Sequence, residues 1–380
     1  MERSVRLSSP TLLLATSALL ACGGDPKPLD VDCDDAIALS AEPGYERLDL
    51  PVRWERDGDL TRGGPVALAV PEGVTGLAFA LEDPDALAGF RVAVDGEVVV
   101  DVVDLFGEGP WFHFEDRLAV LQFPMDGATA PPSGCVAVEP VLFGTTVWEE
   151  GTLHVMSRRG AGAALTIAPI VVGETAIDDA TLRAALDEAV AVYADAGAPA
   201  LVVEEPRALD WPSAFVDDTT DELDGLRASV ALEDERTIPV LFVQDFVEPG
   251  TFGLAAGIPG PNGVLGTSWS GLVLSVDTHL AADGVTLEAA LLGETLAHEL
   301  GHQLGLFHTS EAEGREHDPL EDTAECPASR DADGDGELSV PECLEEGGRN
   351  VMFWTAEEGV RQRELSATQV MLLGASPVAR

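Results

Sequence analysis

Lysine is almost missing from this chain. Lys27 is its single lysine, and 21 basic residues in all stand against 68 acidic ones, a net charge of −47. A nucleic-acid partner is excluded, because phosphate binding requires clustered lysine and arginine side chains. The acidic residues are spread along the whole chain, so they indicate a soluble surface and do not require a basic substrate.

The N-terminus lacks an apolar run long enough for a membrane span. Residues 12–20 form a short apolar run that follows two arginines and ends just before Cys22. This order is typical of a bacterial lipoprotein signal peptide over 1–21, with Cys22 acylated and a tether over 22–32. A plain secretory peptide with an incidental cysteine is the alternative. Either one exports the chain, and the first anchors it to the cell envelope, at the outer membrane or surface.

The length of 380 residues and an apolar content of 46% suit two domains. Before residue 160 the chain has short alternating runs and no helical period, which predicts an all-β, sandwich-like domain over 33–160. Its strands are expected at Val66 to Val70, Gly76 to Leu81, Phe90 to Val103 folded at Asp95-Gly96, Arg117 to Phe123, Cys135 to Phe143 and Thr152 to Arg158. Such a domain is an inhibitory propeptide, a substrate-recruiting module or a spacer, and the last two are favoured.

Residues 164–380 show a different pattern, in which strands and helices alternate as in α/β domains. The expected order is strand 164–172, helix 178–196, strand 201–204, an acidic insertion, strand 238–246, a glycine-rich stretch, strand 271–276 and a second helix.

The second helix carries a candidate metal site. His298 and His302 are four residues apart, so they lie on one helix face with Glu299 beside them. Gly305 is suited to end the helix, and the turned chain then delivers His308. Three histidine ligands leave the fourth zinc position open for water, as in catalytic sites. The alternative is that three ordinary polar histidines share this spacing by accident.

The residues before the motif support a helix. Thr286 is a candidate N-cap, and leucines recur at every fourth position from Leu292 to Leu304. A stripe of small residues beside them would let another element approach closely. The stripe consists of Ala289, Gly293, Ala297 and Gly301.

The eleven residues from His298 to His308 match the HExxHxxGxxH pattern and resemble the metzincin metalloproteases. Met352, within residues 350–354, resembles the methionine turn of that family, and Ser366 to Leu373 resembles its last helix. The resemblance implies a mixed twisted sheet whose edge strand runs antiparallel to bound substrate above the zinc. The glycines from Gly253 to Gly271 would then shape the wall of the cleft.

Within that family the chain is most similar to the pappalysin-like group. His308-Thr309 and the segment from Asp318 to Thr323 carry this likeness, although Ala324 replaces the proline of the group's Asp-Thr-Pro segment. Several metzincins have a tyrosine two residues after the methionine, and this chain has Trp354 there.

A second constellation, within an insertion over 326–343, fits the twelve-residue EF-hand calcium loop. Its carboxylates are Asp331, Asp333, Asp335, Glu337 and Glu342, and Gly336 allows the sharp turn. Prolines on both flanks interrupt the helices that a calcium sensor would move, so a structural calcium site is expected. A solvated acidic loop is the alternative.

Four cysteines remain once Cys22 is set aside, an even number in an oxidising compartment, which predicts two disulfides. Three pairings are possible, and the domain assignment favours Cys33 with Cys135 and Cys326 with Cys343. A latency thiolate at Cys135, capping the zinc, is the alternative.

Together these features predict an exported zinc endopeptidase that acts on proteins or peptides, with Glu299 as general base and Ca²⁺ as a second cofactor. Membrane contact would run only through the lipid on Cys22. One alternative is a calcium-dependent surface adhesion or binding lipoprotein with a silent zinc site, and another is zinc-dependent hydrolysis of a non-peptide bond.

Overall fold

The computed structural model describes residues 29, 31–81, 87–102, 113–115, 118–143, 151–247, 250–357 and 359–380. The signal peptide, Cys22 and most of the tether predicted for 22–32 lie outside these residues. Among the described residues, no helix has the length and apolar character needed to cross a bilayer.

The first part of the chain folds into two sheets, which we call the two-sheet region (residues 37–159). One has the order β1-β5-β11-β4-β3, with β7 on β11 and β8 on β7, and the other has the order β2-β12-β6-β10-β9. All pairings are antiparallel except β1 with β5. The strands are β1 (Ile37–Ala38), β2 (Gly44–Val52), β3 (Trp54–Asp57), β4 (Leu60–Gly63), β5 (Val66–Val70), β6 (Val74–Leu81), β7 (Ala88–Val94), β8 (Glu97–Asp101), β9 (His113–Glu115), β10 (Leu118–Phe123), β11 (Gly134–Phe143) and β12 (Gly151–Arg159).

One hydrophobic core is shared by both sheets, since it contains Phe79 and Leu121 of one sheet together with Leu68 and Phe90 of the other. The central strands of the two sheets are buried along most of their length, on both faces; they are β6, β7, β11 and β12. Each predicted strand corresponds to an observed one, and Val66–Val70 has the predicted bounds. The prediction missed β1 to β4 and β9. Strand β2 was missed because its residues are mostly half-buried or exposed and several are charged.

The second part of the chain forms a six-stranded sheet of order β14-β13-β17-β20-β19, with β15 also on β13. Strands β13, β14, β15, β17 and β20 run parallel, and β19 pairs antiparallel with β20 at the end of the order. The sheet is therefore mixed, as predicted. The strands are β13 (Ala164–Val172), β14 (Ala200–Val203), β15 (Arg207–Leu209), β16 (Phe215–Val216), β17 (Thr237–Val243), β18 (Asp245–Phe246), β19 (Gly253–Leu254) and β20 (Leu272–Ser275); the helices are α1 (Asp179–Asp195), α2 (Asp221–Ala228), α3 (Ala289–Gln303) and α4 (Ala367–Ala375).

One prediction in this part needs correction. The strand predicted over 238–246 is divided, because β17 pairs with β13 and β20 whereas β18 pairs with β16 in a separate two-stranded sheet. The acidic insertion contains β15, β16 and α2. Helix α2 begins after Thr220, whose side chain accepts a hydrogen bond from the Glu222 N–H.

Helix α3 packs closely on α1, as its small-residue stripe predicted. A Cβ atom on Gly293 would lie 2.4 Å from the carbonyl oxygen of Ala185, so only glycine permits this approach. The predicted N-cap is wrong: Thr286 bonds to Asp283 in the preceding turn, and Glu288 holds the N-cap position without a side-chain cap. The turn around Asp283 therefore competed with the helix for that threonine.

Both predicted disulfides are present in the favoured pairing, which also excludes a free thiolate at Cys135. Cys33 is bonded to Cys135 and Cys326 to Cys343, with Cα atoms 5.9 and 5.7 Å apart. The first ties the segment just before β1 to β11. The second closes the segment predicted to bind calcium.

The two parts of the chain are in direct contact. A small core joins Ala80 and Met156 of the two-sheet region to Val264 of the second part. The contact is tight, because a Cβ atom on Gly76 would lie less than 2 Å from the carbonyl oxygen of Ala375. The two-sheet region is therefore seated on the domain that carries the histidine motif.

Candidate metal centre and active site

The three predicted histidines meet at one point. His298 and His302 project from α3, and Nε2 of His308 lies 3.0 Å from Nε2 of His302 and 3.3 Å from Nε2 of His298. All three side chains are buried. A zinc ion with Zn–N bonds of about 2.0–2.1 Å in tetrahedral geometry places its nitrogen ligands about 3.3–3.4 Å apart. The distances of 3.0 and 3.3 Å from His308 are close to that spacing.

The other ring nitrogens fix the protonation of the site. Nδ1 of His298 lies 2.7 Å from the carbonyl oxygen of Val351, and Nδ1 of His302 lies 2.7 Å from that of Leu306. A carbonyl only accepts, so in each ring Nδ1 carries the hydrogen and Nε2 presents a lone pair. Burial lowers the pKa of His298 to about 3, which also keeps its ring neutral. The Nε2 lone pairs of His298 and His302, which point toward Nε2 of His308, are suited to bind a cation.

His308 has a partner that the sequence analysis missed. Its Nδ1 lies 3.0 Å from Oε1 of Glu311, three residues further on. A carboxylate behind a ligating histidine orients the ring and raises its basicity. An acidic residue close after the third histidine was the signal that could have identified it.

Helix α3 ends in the way the motif predicts. Gly305 has a φ of 103°, and the Leu306 N–H donates to the carbonyl oxygen of Gly301, which closes the helix terminus. The chain then reverses and brings His308 to the other two rings. The two-sheet region supports this turn, since Nε2 of the buried Gln122 donates to the carbonyl oxygen of Leu304 at 3.1 Å.

Glu299 lies between the helix and the edge of the sheet. Its Oε2 accepts a hydrogen bond from the Ala255 N–H at 2.8 Å, and burial raises the pKa of the carboxyl group to about 7, opposed by that hydrogen bond and by Arg227. A Cβ atom on Gly253 would lie 2.7 Å from Cγ of Glu299. Glycine at position 253 therefore lets β19 approach the Glu299 side chain closely. The sequence predicted a glycine-rich cleft wall here but not this particular contact.

Met352 lies against the helix that carries the histidines. A Cβ atom on Gly301 would lie 2.4 Å from the Met352 sulfur, so this pair of residues sets the spacing between helix and turn. The Met352 carbonyl oxygen accepts from the Thr309 N–H at 2.9 Å, next to His308. Trp354 does not face the histidines with its polar atom, because its Nε1 donates to the carbonyl oxygen of Leu338 at 2.8 Å.

The predicted calcium loop brings three carboxylates together. Oxygens of Asp331, Asp333 and Asp335 lie within 4.8 Å of one another, and Asp331 is the least exposed. Asp331 accepts from the Gly334 and Gly336 N–H groups, and Glu342 closes the loop by accepting from the Ala332 and Ser339 N–H groups. The side chains of Glu337 and Glu342 are not part of the three-carboxylate group.

This loop rests on a small core that the sequence analysis did not expect. Leu338, Val340 and the Cys326–Cys343 disulfide pack with Phe353 and Trp354. The segment between His308 and Met352 is thus held partly by burial and partly by the disulfide. Its Asp318 to Thr323 part is a locally closed turn, in which Oδ1 of Asp318 accepts from the Thr323 hydroxyl at 2.5 Å.

No known protein family and no curated protein matches the chain. Among solved structures it is similar over 57% of its length to metalloproteinase-II from Bacteroides fragilis, at 15% identity and a TM-score of 0.33, and it spans 55% of that chain. It is also similar over 57% of its length to archaemetzincin from Methanopyrus kandleri, at 18% identity and a TM-score of 0.29, covering 89% of that chain. Likenesses this low do not assign a function, so the conclusions below depend on the site itself.

Proposed function

We propose that this chain is an exported zinc-dependent endopeptidase of the metzincin type, similar to the pappalysin-like group. One observation carries the proposal: three buried Nε2 atoms converge beside a buried glutamate, next to the edge strand of a mixed sheet. The histidines His298, His302 and His308 would hold the zinc. Protein or peptide is the substrate class, since an extended chain can add to a sheet edge through backbone hydrogen bonds.

Each residue of the site has a separate role in the proposed peptide hydrolysis. Zinc, when bound, supplies the Lewis acid that lowers the pKa of a water molecule and polarises a carbonyl. Glu299 removes a proton from the attacking water and delivers it to the leaving amine. The Ala255 N–H holds the Glu299 carboxylate in place. Val351, Leu306 and Glu311 orient the three imidazoles through their Nδ1 atoms.

The direct test is hydrolysis of denatured casein by the mature protein, with and without a zinc chelator. We expect cleavage that the chelator stops and added zinc restores. Binding of partners without any cleavage would favour a surface binding protein instead, and cleavage of esters alone would favour a non-peptide hydrolase.

We further propose that the loop with Asp331, Asp333 and Asp335 binds structural calcium and acts with the Cys326–Cys343 disulfide as a clamp. The loop packs beneath Trp354, two residues from Met352, so its order is linked to the chain that supports His298. The disulfide contributes about 3 kcal/mol in the chain-entropy model. Calcium would neutralise carboxylates that otherwise repel one another.

Replacing Asp331 and Asp335 together by alanine should therefore lower thermal stability in millimolar calcium and reduce activity. Calcium at about 100 times its Kd stabilises by about 2.7 kcal/mol, so we expect the Tm to fall by about 5–10 °C. Differential scanning calorimetry measures the shift. A double alanine variant of the exposed Glu313 and Glu316 in the same segment is the matched control. The loop would be a solvated acidic turn if the unmodified protein has the same Tm with calcium and with a chelator, and if the Asp331 and Asp335 double variant also has that Tm.

We propose that the two-sheet region is a sandwich-like accessory domain retained in the mature protein, not a propeptide that is cleaved off. Gln122 supports this proposal, because it bonds to Leu304 at the turn that delivers His308. Removal of the region would expose that turn and the core shared with Val264. The intact mass of the active protein tests this proposal. A mass that corresponds to a chain beginning after residue 160 would show that the region is a propeptide.

We propose that Cys22 is acylated and anchors the protein to a bacterial cell envelope. Cys22→Ser should move the protein from the membrane fraction to the soluble fraction or leave it unprocessed, because the lipid is the only anchor proposed. Fractionation followed by immunoblotting measures the distribution. An unchanged membrane fraction would show that another anchor operates.

A further inference from the structure

Two successive N–H groups just after β19 are bound by side chains of α3. The Ala255 N–H donates to Oε2 of Glu299 at 2.8 Å, and the Ala256 N–H donates to Oε1 of Gln303 at 3.1 Å. Glu299 and Gln303 are four residues apart and therefore lie on one face of the helix. The end of the edge strand is thus joined directly to the proposed general base.

The carbonyl oxygens of the same stretch of backbone are bound from the other side by Arg227. Its Nη2 donates to the carbonyl oxygens of Leu254 and Ala255, each at 3.1 Å. The N–H and C=O of a planar trans peptide group point in opposite directions, so each of the two peptide groups connects Arg227 to a side chain of α3. A guanidinium on the Leu254 carbonyl also polarises that peptide group, which makes the Ala255 N–H a stronger donor to Glu299.

The surroundings of Arg227 fix its guanidinium beside the edge strand. Arg227 lies in the last turn of α2 and is 2% exposed. The apolar side of α2 is anchored in a core with sheet residues, and Leu254 packs against the same core. The guanidinium lies over the ring of Trp269, with Cζ 5.8 Å from the ring centroid. Its charge also reaches Glu299, where it opposes the rise that burial causes in the pKa of the carboxyl group.

We propose that Arg227 is a positioning residue for the peptidase reaction, and that it orients Glu299 through the Leu254 and Ala255 peptide groups. This inference rests on the proposed function, in which Glu299 is the general base. Misplacement of a reacting group by 1 Å can cost about 100-fold in rate, so loss of Arg227 should lower kcat. KM should change less, because β19 remains paired with β20. Zinc content should not change, since the imidazoles have other partners.

A double-variant cycle separates this role from a general structural one. With one peptide from the casein digest as substrate, Arg227→Met should lower kcat by about 10- to 100-fold, less than the full loss of Glu299. In the Glu299→Ala protein the same substitution should change the residual rate by less than about 2-fold, because the group that Arg227 orients is absent. Arg227→Lys keeps the charge without the planar fork, so it should lower kcat by about 3- to 10-fold.

Arg236→Met is the matched control for these variants. Arg236 also lies over an aromatic ring, that of Tyr45 at 5.7 Å, but its guanidinium pairs with Asp234. It makes no hydrogen bond to β19 or to Glu299 among the described contacts, all of which are to Asp234. This substitution removes a stacked guanidinium of the same size and should leave kcat unchanged.

The hydrogen bond between Ala255 and Glu299 can be measured without turnover. Hydrogen exchange is followed by NMR in protein labelled with ¹⁵N-alanine, and the Ala255 signal is the one that Ala255→Gly removes. We expect slow exchange of this amide in the unmodified protein and in Arg236→Met. Exchange should be about 10-fold faster or more in Glu299→Ala and in Arg227→Met, the range for one hydrogen bond to a charged group.

Rapid exchange of the Ala255 amide in the unmodified protein would overturn the inference, and that measurement needs no variant to fold. An equal loss of rate from Arg227→Met with and without Glu299 would also overturn it. If the methionine variant does not fold, Arg227→Lys is taken through the same cycle, and an unchanged kcat or an equal loss in both backgrounds would overturn the inference. Casein cleavage with a normal kcat in Arg227→Met would leave the peptidase and remove this role. Protection of Ala255 that depends on Arg227, in a protein that cleaves no peptide, would leave the contact and remove the peptidase.

Discussion

Glu299→Ala should bind one zinc ion per chain and hydrolyse casein about 10²- to 10⁴-fold more slowly than the unmodified protein. The magnitude is that of losing a general base. The metal should remain, because the three imidazoles and their Nδ1 partners do not involve Glu299. Metal analysis of the purified variant, combined with a rate measurement, tests both parts of the expectation.

The matched control for this variant is Glu288→Ala, at the start of the same helix. Glu288 holds the N-cap position without a side-chain hydrogen bond to the helix, so its loss should leave α3 and the activity intact. A metal-replete Glu299→Ala protein that cleaves at the normal rate would show that another group takes the proton.

His302→Ala should lose the zinc itself. His302 contributes one of the three converging nitrogens and also bonds through Nδ1 to Leu306 in the turn that delivers His308. Loss of an outer partner alone costs about 10- to 100-fold in metal affinity, and loss of a ligand should cost more. Zinc content after dialysis and a competition titration with a chromophoric chelator measure the change.

His317→Ala serves as the control for the ligand variant. His317 lies in the same part of the chain, but its Nδ1 contacts Thr309 and Ser310 and its ring is outside the converging group. It should keep one zinc per chain. Equal zinc content in the His302→Ala and unmodified proteins would mean that the ligands are misassigned.

The convergence of the three histidines could be predicted from the sequence because it depends on local structure. Helical periodicity places His298 and His302 on one face, and glycine at 305 provides the reversal that brings His308 to them. Strand bounds such as Val66–Val70 and Ala164–Val172 were predictable for the same reason, since each has a continuous pattern of apolar residues. The small-residue stripe likewise predicted that another element approaches α3 closely, and that element is α1.

Features that depend on distant residues could not be predicted. Gln122 reaches Leu304 across 182 residues, and Ala255 holds Glu299 from 44 residues away; neither has a local pattern. Strand β2 was missed because its exposed, charged residues hide the alternation of apolar and polar positions. The prediction of Thr286 as N-cap was wrong because its hydroxyl donates to Asp283 instead.

Stoichiometric reconstitution tests the central claim most directly. The protein is freed of metal with a chelator, dialysed and given zinc in steps from zero to two equivalents while casein hydrolysis is followed. We predict that activity rises linearly and saturates at one zinc per chain, and that the Glu299→Ala protein takes up the same zinc without gaining activity. Full hydrolysis without metal, or one bound zinc with no peptide bond cleaved at any equivalent, would contradict the assignment of this chain as a zinc endopeptidase.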